Sequence, residues 1–167
     1  MDVRYVNPFV SAIKRVFETM VHTPVTIGKP MLKDHVTFSP DVSGVIGFSG
    51  DAAGCVVLSF GLDVACRAVE RFAGANIDPT NPDFSDAIGE LANMVAGNAK
   101  TEFDGMNISI SLPSVILGKD HTVSVSRNPP RIVIPCQTAY GTLYVEIGMT
   151  LIRKPATARP LATTGAR

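Results

Sequence analysis

Four residues between positions 86 and 97 have types and a spacing that could act on another molecule. Asp86, Glu90, Asn93 and Gly97 follow one another at intervals of three or four residues, so on a helix they share one face. A carboxylate binds cations, a carboxamide both donates and accepts hydrogen bonds, and a glycine leaves room for a close approach. A Glu and an Asn on a helix face are usually only solvated, but a glycine inside a helix costs about 1 kcal/mol relative to alanine. Together they favour a reactive or docking surface.

The same stretch has an apolar side, which predicts a helix that packs on a core. Its apolar residues repeat with helical spacing: Phe84, Ile88, Leu91, Val95, Ala99 and Phe103. We expect a helix over residues 85–100, entered from a proline-broken loop, with Asp83 or Ser85 as its N-cap. The four candidate residues then face away from the core.

The rest of the chain predicts two more helices and seven strands. We expect helices at residues 7–21 and 62–72. Strands are expected at residues 24–32, 42–49, 53–60, 108–117, 121–126, 131–138 and 141–151. These elements define an α+β protein with a mainly antiparallel sheet.

The order helix, strand, strand, strand occurs twice, which predicts two pseudo-symmetric α-β-β-β units with their two long helices on one face of the sheet. The repeat allows the two helices to be compared position by position. Where the second helix has Glu90 and Asn93, the first has Arg15 and Glu18. If only one half is active, we expect it to be the second.

The composition narrows the class of protein. The chain has 167 residues, enough for a sizeable core, and fifteen basic residues balance fifteen acidic ones. This balance disfavours nucleic acid or a membrane surface as a partner. No apolar run approaches the roughly 20 residues of a membrane span, and no signal-peptide pattern is seen, so we expect a cytoplasmic location. We assign residues 1–153 to one domain and expect residues 154–167 to be a disordered tail.

Cysteine and histidine do not indicate a metal site of the protein's own. The three cysteines lie far apart, without CxxC spacing, and the three histidines are isolated. Cys55 and Cys136 lie in apolar runs, which predicts buried thiols. The sequence also lacks the glycine-rich phosphate-binding motifs and the serine-hydrolase motif, which disfavours nucleotide binding and serine-hydrolase chemistry.

The run DAIGELANMVAGNAK, residues 86–100, resembles the signature helix of the CheC/CheX/FliY family of chemotaxis phosphatases. It is most similar to the CheX members, which carry one such motif. The α-β-β-β repeat also matches the pseudo-symmetric fold of that family, so the resemblance covers roughly residues 5–152. A proline after the motif helix belongs to the family pattern, and Pro113 is the candidate for it.

The resemblance implies that the protein dephosphorylates the aspartyl phosphate of a phosphorylated CheY-type response regulator. In this interpretation Asn93 positions an in-line water, and Glu90 pairs with the active-site lysine of the receiver domain. Gly97 lets the partner backbone come near, and Asp86 is a peripheral contact. Mg²⁺ is supplied by the receiver. A homodimer built by strand pairing is also implied.

Two other functions remain open at this point. A protein with the same fold could be a non-catalytic interaction module of the chemotaxis or flagellar-switch machinery, although the presence of both Glu90 and Asn93 favours the enzyme. A small-ligand-binding domain with a pocket beneath the sheet is the other alternative, but the sequence offers no convergent polar cluster for it.

Overall fold

The structure, a computed structural model, describes residues 5–33, 38–124 and 130–152. In chain order the elements are α1 (Asn7–Met20), β1 (Thr26–Ile27), β2 (Met31–Leu32), β3 (Val42–Gly50), β4 (Ala52–Phe60), α2 (Leu62–Ala73), α3 (Pro82–Thr101), β5 (Ile108–Ile110), β6 (Ser114–Leu117), β7 (Ile132–Thr138) and β8 (Gly141–Leu151). Three helices and an antiparallel sheet confirm the predicted α+β class.

The order of strands in the sheet shows the predicted repeat. The hairpins β3–β4 and β7–β8 meet in the middle, where β4 pairs with β8. The short strands cross between the halves, because β1 and β2 pair with β7 while β5 and β6 pair with β3. Each half therefore completes the other, and the sheet has the same order from either edge.

The helices cover one face of this sheet. Side chains alternate along a strand, and one alternate set on each long strand joins the helices in a single buried core. The predicted apolar side of α3 is buried throughout, from Phe84 to Phe103. The ring centroid of Phe9, near the start of α1, lies 6.1 Å from that of Phe103, which follows α3. α1 and α3 therefore pack side by side and run antiparallel.

Two predicted strands are each broken in two. The prediction of one strand over residues 24–32 is wrong, because residues 28–30 separate β1 from β2. The prediction for residues 108–117 is wrong in the same way, because residues 111–113 separate β5 from β6. Both linkers end in a proline, Pro30 or Pro113, which has no backbone N–H to donate to a ladder.

Two other local predictions are corrected. α3 begins at Pro82, and its N-cap is Asn81, whose side chain accepts a hydrogen bond from the backbone N–H of Asp83. The predicted caps Asp83 and Ser85 therefore lie inside the first turns. The strand predicted at residues 121–126 is not formed over residues 121–124, and its remaining residues lie outside the described part of the chain.

The structure confirms that Cys55 and Cys136 are buried. Burial raises the pKa of the Cys136 thiol to about 12, so this group stays protonated at neutral pH. None of the helices in the described ranges is long and apolar enough to cross a membrane. The tail predicted at residues 154–167 lies outside the described residues, and the domain boundary at 153 stays a prediction.

Candidate active site

The four candidate residues share the outer face of α3. Asp86 and Glu90 are exposed, while Asn93 and Gly97 are half-buried. The opposite side of the same helix is the buried one described above. The structure therefore brings the four together as one surface about 16 Å long, at a rise of 1.5 Å per residue.

Close packing on the sheet fixes the position of α3. A Cβ atom added to Gly44 on β3 would lie 2.9 Å from the Cβ of Ala92 and 3.3 Å from the backbone oxygen of Ile88. Helix and strand thus approach more closely than a larger residue at position 44 would allow. The Asn81 cap holds the start of the helix. The candidate face is carried on a rigid element.

The polar side chains of this face have no partner within the described part of the chain. Neither a hydrogen bond nor an ion pair engages the side chains of Asp86, Glu90 or Asn93 there. Asn98 behaves differently, because its Nδ2 donates to the backbone oxygen of Met94 at 2.8 Å. The carboxamide of Asn93 and the carboxylate of Glu90 are therefore available to another molecule.

The two glycines inside α3 have different surroundings. A Cβ on Gly89 would lie 3.2 Å from Cγ of Pro113, so Gly89 makes room for the linker between β5 and β6. A Cβ on Gly97 would meet nothing within 4 Å. Internal packing explains Gly89 but not Gly97. A glycine inside a helix costs about 1 kcal/mol relative to alanine, and no contact among the described residues requires glycine at position 97.

The linker at residues 111–113 borders the candidate face. Pro113 lies against Gly89, and Asn93 is one turn further along the helix, about 40° around its axis from Gly89. The family proline expected from the sequence is therefore beside the motif helix. Asn93 lies between this linker and the exposed Glu90.

Glu90 and Asn93 are arranged so that they could position a bound molecule and a water. Glu90 and Asn93, three residues apart on a helix, have Cβ atoms about 5–6 Å apart, so one bound molecule can contact both. The carboxylate suits a cationic group, and the carboxamide suits a water that must both donate and accept. Among the described residues, no group of three or more His, Cys, Asp or Glu could hold a metal ion.

Sequence reasoning missed a polar cluster on the other face of the sheet. Glu146 on β8 is 3% exposed and forms ion pairs with Lys33, at 2.7 Å, and with Arg131. These residues come from three distant segments, so no local motif marks them. A charged residue inside the apolar run of β8 is the one signal that could have indicated a buried ion pair.

A second set of hydrogen bonds adjoins this ion pair. Nε2 of His121 lies 2.8 Å from Oγ of Ser43, which lies 3.0 Å from Oγ of Ser59. Nδ1 of His121 lies 2.8 Å from the backbone oxygen of Gly118. A cavity of about 280 Å³ is lined by Lys33, Phe38, Ser39, Pro40, Ser59, His121, Thr122, Val123 and Glu146. The hydrogen bond of His121 to Ser43 and the ion pairs of Glu146 with Lys33 and Arg131 both hold loop residues against this face of the sheet.

Fold and site together define a class: a pseudo-symmetric α+β protein with a Glu/Asn pair on the outer face of one helix that has no partner among the described residues. The model of the family described as chemotaxis phosphatase CheX matches residues 42–137, more than half of the 167 residues. The chain belongs to the CheX family.

Individual relatives agree with this assignment. The CheY-P phosphatase CheX of Thermotoga maritima is 29% identical over 123 residues, covering 72% of this chain and 79% of the relative. The crystal structure of a chemotaxis protein CheX from Desulfovibrio desulfuricans has a TM-score of 0.80 at 33% identity, covering 89% of this chain and 99% of that one. CheX in the CheX-CheY-BeF3-Mg²⁺ complex from Borrelia burgdorferi shares the fold, with a TM-score of 0.73 at 22% identity over 87% of this chain and 97% of its own.

Proposed function

We propose that this protein is a response-regulator phosphatase that hydrolyses the aspartyl phosphate of a phosphorylated CheY-type receiver domain. One observation carries the proposal: the motif helix of a CheX-family chain presents Glu90 and Asn93 outward, with no partner for either among the described residues. The catalytic roles given to these two residues below are part of the proposal.

Asn93 is assigned the positioning of water. Its carboxamide accepts a hydrogen bond from the water and donates one to it, which holds the oxygen in line with the scissile P–O bond. The water oxygen forms a bond to phosphorus as the bond to the aspartate oxygen breaks. The products are inorganic phosphate, which keeps the second proton of the water or releases it to solvent, and the free aspartate carboxylate. No covalent intermediate on this chain is needed.

Glu90 is assigned the docking of the partner. Its exposed carboxylate would pair with the lysine of the receiver's active site in a charge-assisted hydrogen bond. This contact sets the register in which Asn93 meets the phosphoryl group. Asp86, one turn earlier, is a peripheral contact, and Gly97 leaves space for the partner's backbone.

Mg²⁺ is proposed to come with the receiver. The outer face of α3 offers two carboxylates one turn apart, Asp86 and Glu90, which is a poor donor set for an ion that prefers octahedral oxygen coordination. When bound by the receiver, Mg²⁺ would neutralise charge on the phosphoryl oxygens. The Borrelia relative, which shares the fold, was solved with CheY, BeF3 and Mg²⁺, the assembly expected for such a pair.

We also propose a cytoplasmic homodimer that pairs through a sheet edge. β1 and β2 form one edge of the described sheet, and β5 and β6 form the other. Exposed Met31 and Leu32 lie on the first edge, and exposed Leu117 lies on the second. Light scattering on the purified chain tests the dimer, and a monomer at all concentrations would reject it.

The central test is an assay of phosphate release from phosphorylated receiver domains of the source organism, with and without this protein. Accelerated release from at least one receiver is expected. Binding to a receiver without acceleration would favour the non-catalytic interaction module, since such a module needs the fold and the exposed face but not turnover.

A further inference from the structure

The linker at residues 111–113 exposes an apolar side chain beside the candidate face. Leu112 is 88% exposed, far more than the other exposed large apolar residues in the described ranges, which lie between 36% and 51%. The next residue is Pro113, which lies against Gly89 on α3. Single exposed apolar residues are common on protein surfaces, so the exposure of Leu112 needs support from its surroundings.

The backbone around Leu112 is held firmly. Ser111 donates its N–H to the backbone oxygen of Gly47 at 2.9 Å, and Gly47 donates its own N–H to Oγ of Ser111 at 2.9 Å. Oγ of Ser111 also donates to the backbone oxygen of Leu112 at 2.7 Å. With Pro113 seated on the helix, Leu112 is fixed from both sides. Its outward direction is therefore set by bonds and packing.

The equivalent linker in the first half, residues 28–30, has no exposed apolar residue at the position of Leu112. Gly28 donates its N–H to the backbone oxygen of Pro135 at 2.7 Å, the same bond that Ser111 makes with Gly47. Pro135 has no N–H to return, and Gly28 has no side chain to receive one. The exposed residue that matches Leu112 is Lys29. An apolar residue here is thus a property of the second half alone.

The outer face of α3 is too small to form a stable interface by itself, so a partner docked on it needs further contacts nearby. A stable, specific complex buries about 800 Å² on each partner, and one helix face about 16 Å long is too narrow to supply it. Interfaces of this kind concentrate their affinity in a few apolar anchors with polar contacts around them. Leu112 lies on the side of α3 that also carries Asn93, so a partner seated over Glu90 and Asn93 reaches it.

We propose that Leu112 is an apolar anchor that contacts the phosphorylated receiver domain when the receiver docks over Glu90 and Asn93. The inference rests on the proposed function and assigns part of its specificity to the linker. Leu112 contacts the partner and not the reacting atoms, so it acts on affinity and leaves the chemical step unchanged.

The test compares Leu112→Ser with Leu112→Met and with the matched control Lys29→Ser in the phosphate-release assay. Leu112→Ser is expected to raise KM about tenfold with kcat unchanged. Leu112→Met and Lys29→Ser are expected to behave like the wild type. All three should unfold at the wild-type temperature, because both positions are exposed.

Two results would overturn the inference, and they differ from each other. A wild-type KM in Leu112→Ser, with an active wild-type protein, removes the anchor and leaves the proposed function standing. A wild-type protein that accelerates release from no receiver overturns the proposed function and the anchor with it.

Discussion

α1 and α3 occupy equivalent places in the two halves, side by side on one face of the sheet, yet only the outer face of α3 carries the proposed Glu90/Asn93 pair. Both helices bury an apolar side in the common core. On the outer side, α1 presents Arg15 and Glu18 where α3 presents Glu90 and Asn93, and all but the half-buried Asn93 are exposed. The fold needs both helices for packing, but it places no demand on these outer positions.

The comparison extends to the linker beside each helix. In the first half the exposed linker residue is Lys29, and in the second half it is Leu112. The first half therefore carries two cationic side chains, Arg15 and Lys29, at positions where the second carries a carboxylate and an apolar group. A partner with an active-site lysine would be repelled by the first set and attracted by the second. In the proposed function, one half keeps the scaffold complete while the other carries the active site.

The largest effect expected is from Asn93→Ala. Without the carboxamide, water is no longer held in line, and kcat should fall by at least about 100-fold. Binding to the phosphorylated receiver should be nearly unchanged. The measurement is single-turnover phosphate release, with affinity followed separately by titration.

The matched control for Asn93 is Glu18→Ala on α1, which should keep full activity. Full activity in Asn93→Ala would contradict the water-positioning role. A comparable loss in Glu18→Ala would contradict the division between an active and a structural half.

Glu90→Ala should have the next largest effect. Loss of the charge-assisted contact to the receiver's lysine is expected to lower kcat/KM about tenfold, through weaker binding and a poorer register. Increasing salt should reduce the difference between Glu90→Ala and the wild type, because the contact is electrostatic.

The equivalent change on α1, Arg15→Ala, serves as the control for Glu90→Ala and should leave KM unchanged or slightly lower. A Glu90→Ala variant with wild-type KM and kcat would show that the carboxylate plays no part in docking.

Much of this division was predictable from the sequence, because it depends on local patterns. The helical period of α3 placed Glu90 and Asn93 on one face, and the comparison with Arg15 and Glu18 needed only the repeat. Pro30 and Pro113 signal the breaks in the strands at residues 24–32 and 108–117, but the strand that each short segment pairs with was not predictable, because it lies in the other half.

The interactions that join distant segments could not be predicted from local sequence patterns either. Glu146 becomes a paired, buried charge only when Lys33 and Arg131 are brought to it. Leu112 reads as an ordinary strand residue until Ser111 and Pro113 are seen to turn it outward. Such features depend on tertiary contacts, which a period of apolar residues does not encode.

The smallest effect expected concerns the glycines of α3. Gly97→Ala should stabilise the protein by about 0.5–1 kcal/mol, because alanine favours a helix and a Cβ there meets nothing within 4 Å. The control, Gly89→Ala, should give no such gain, because its Cβ would lie 3.2 Å from Pro113.

If the partner's backbone approaches Gly97, the methyl group of Gly97→Ala should raise KM a few-fold while it raises the melting temperature. Thermal unfolding and the phosphate-release assay on the same samples separate the two effects. A more stable Gly97→Ala with unchanged KM would remove this glycine from the docking surface and leave Glu90 and Asn93 as the features that distinguish α3 from α1.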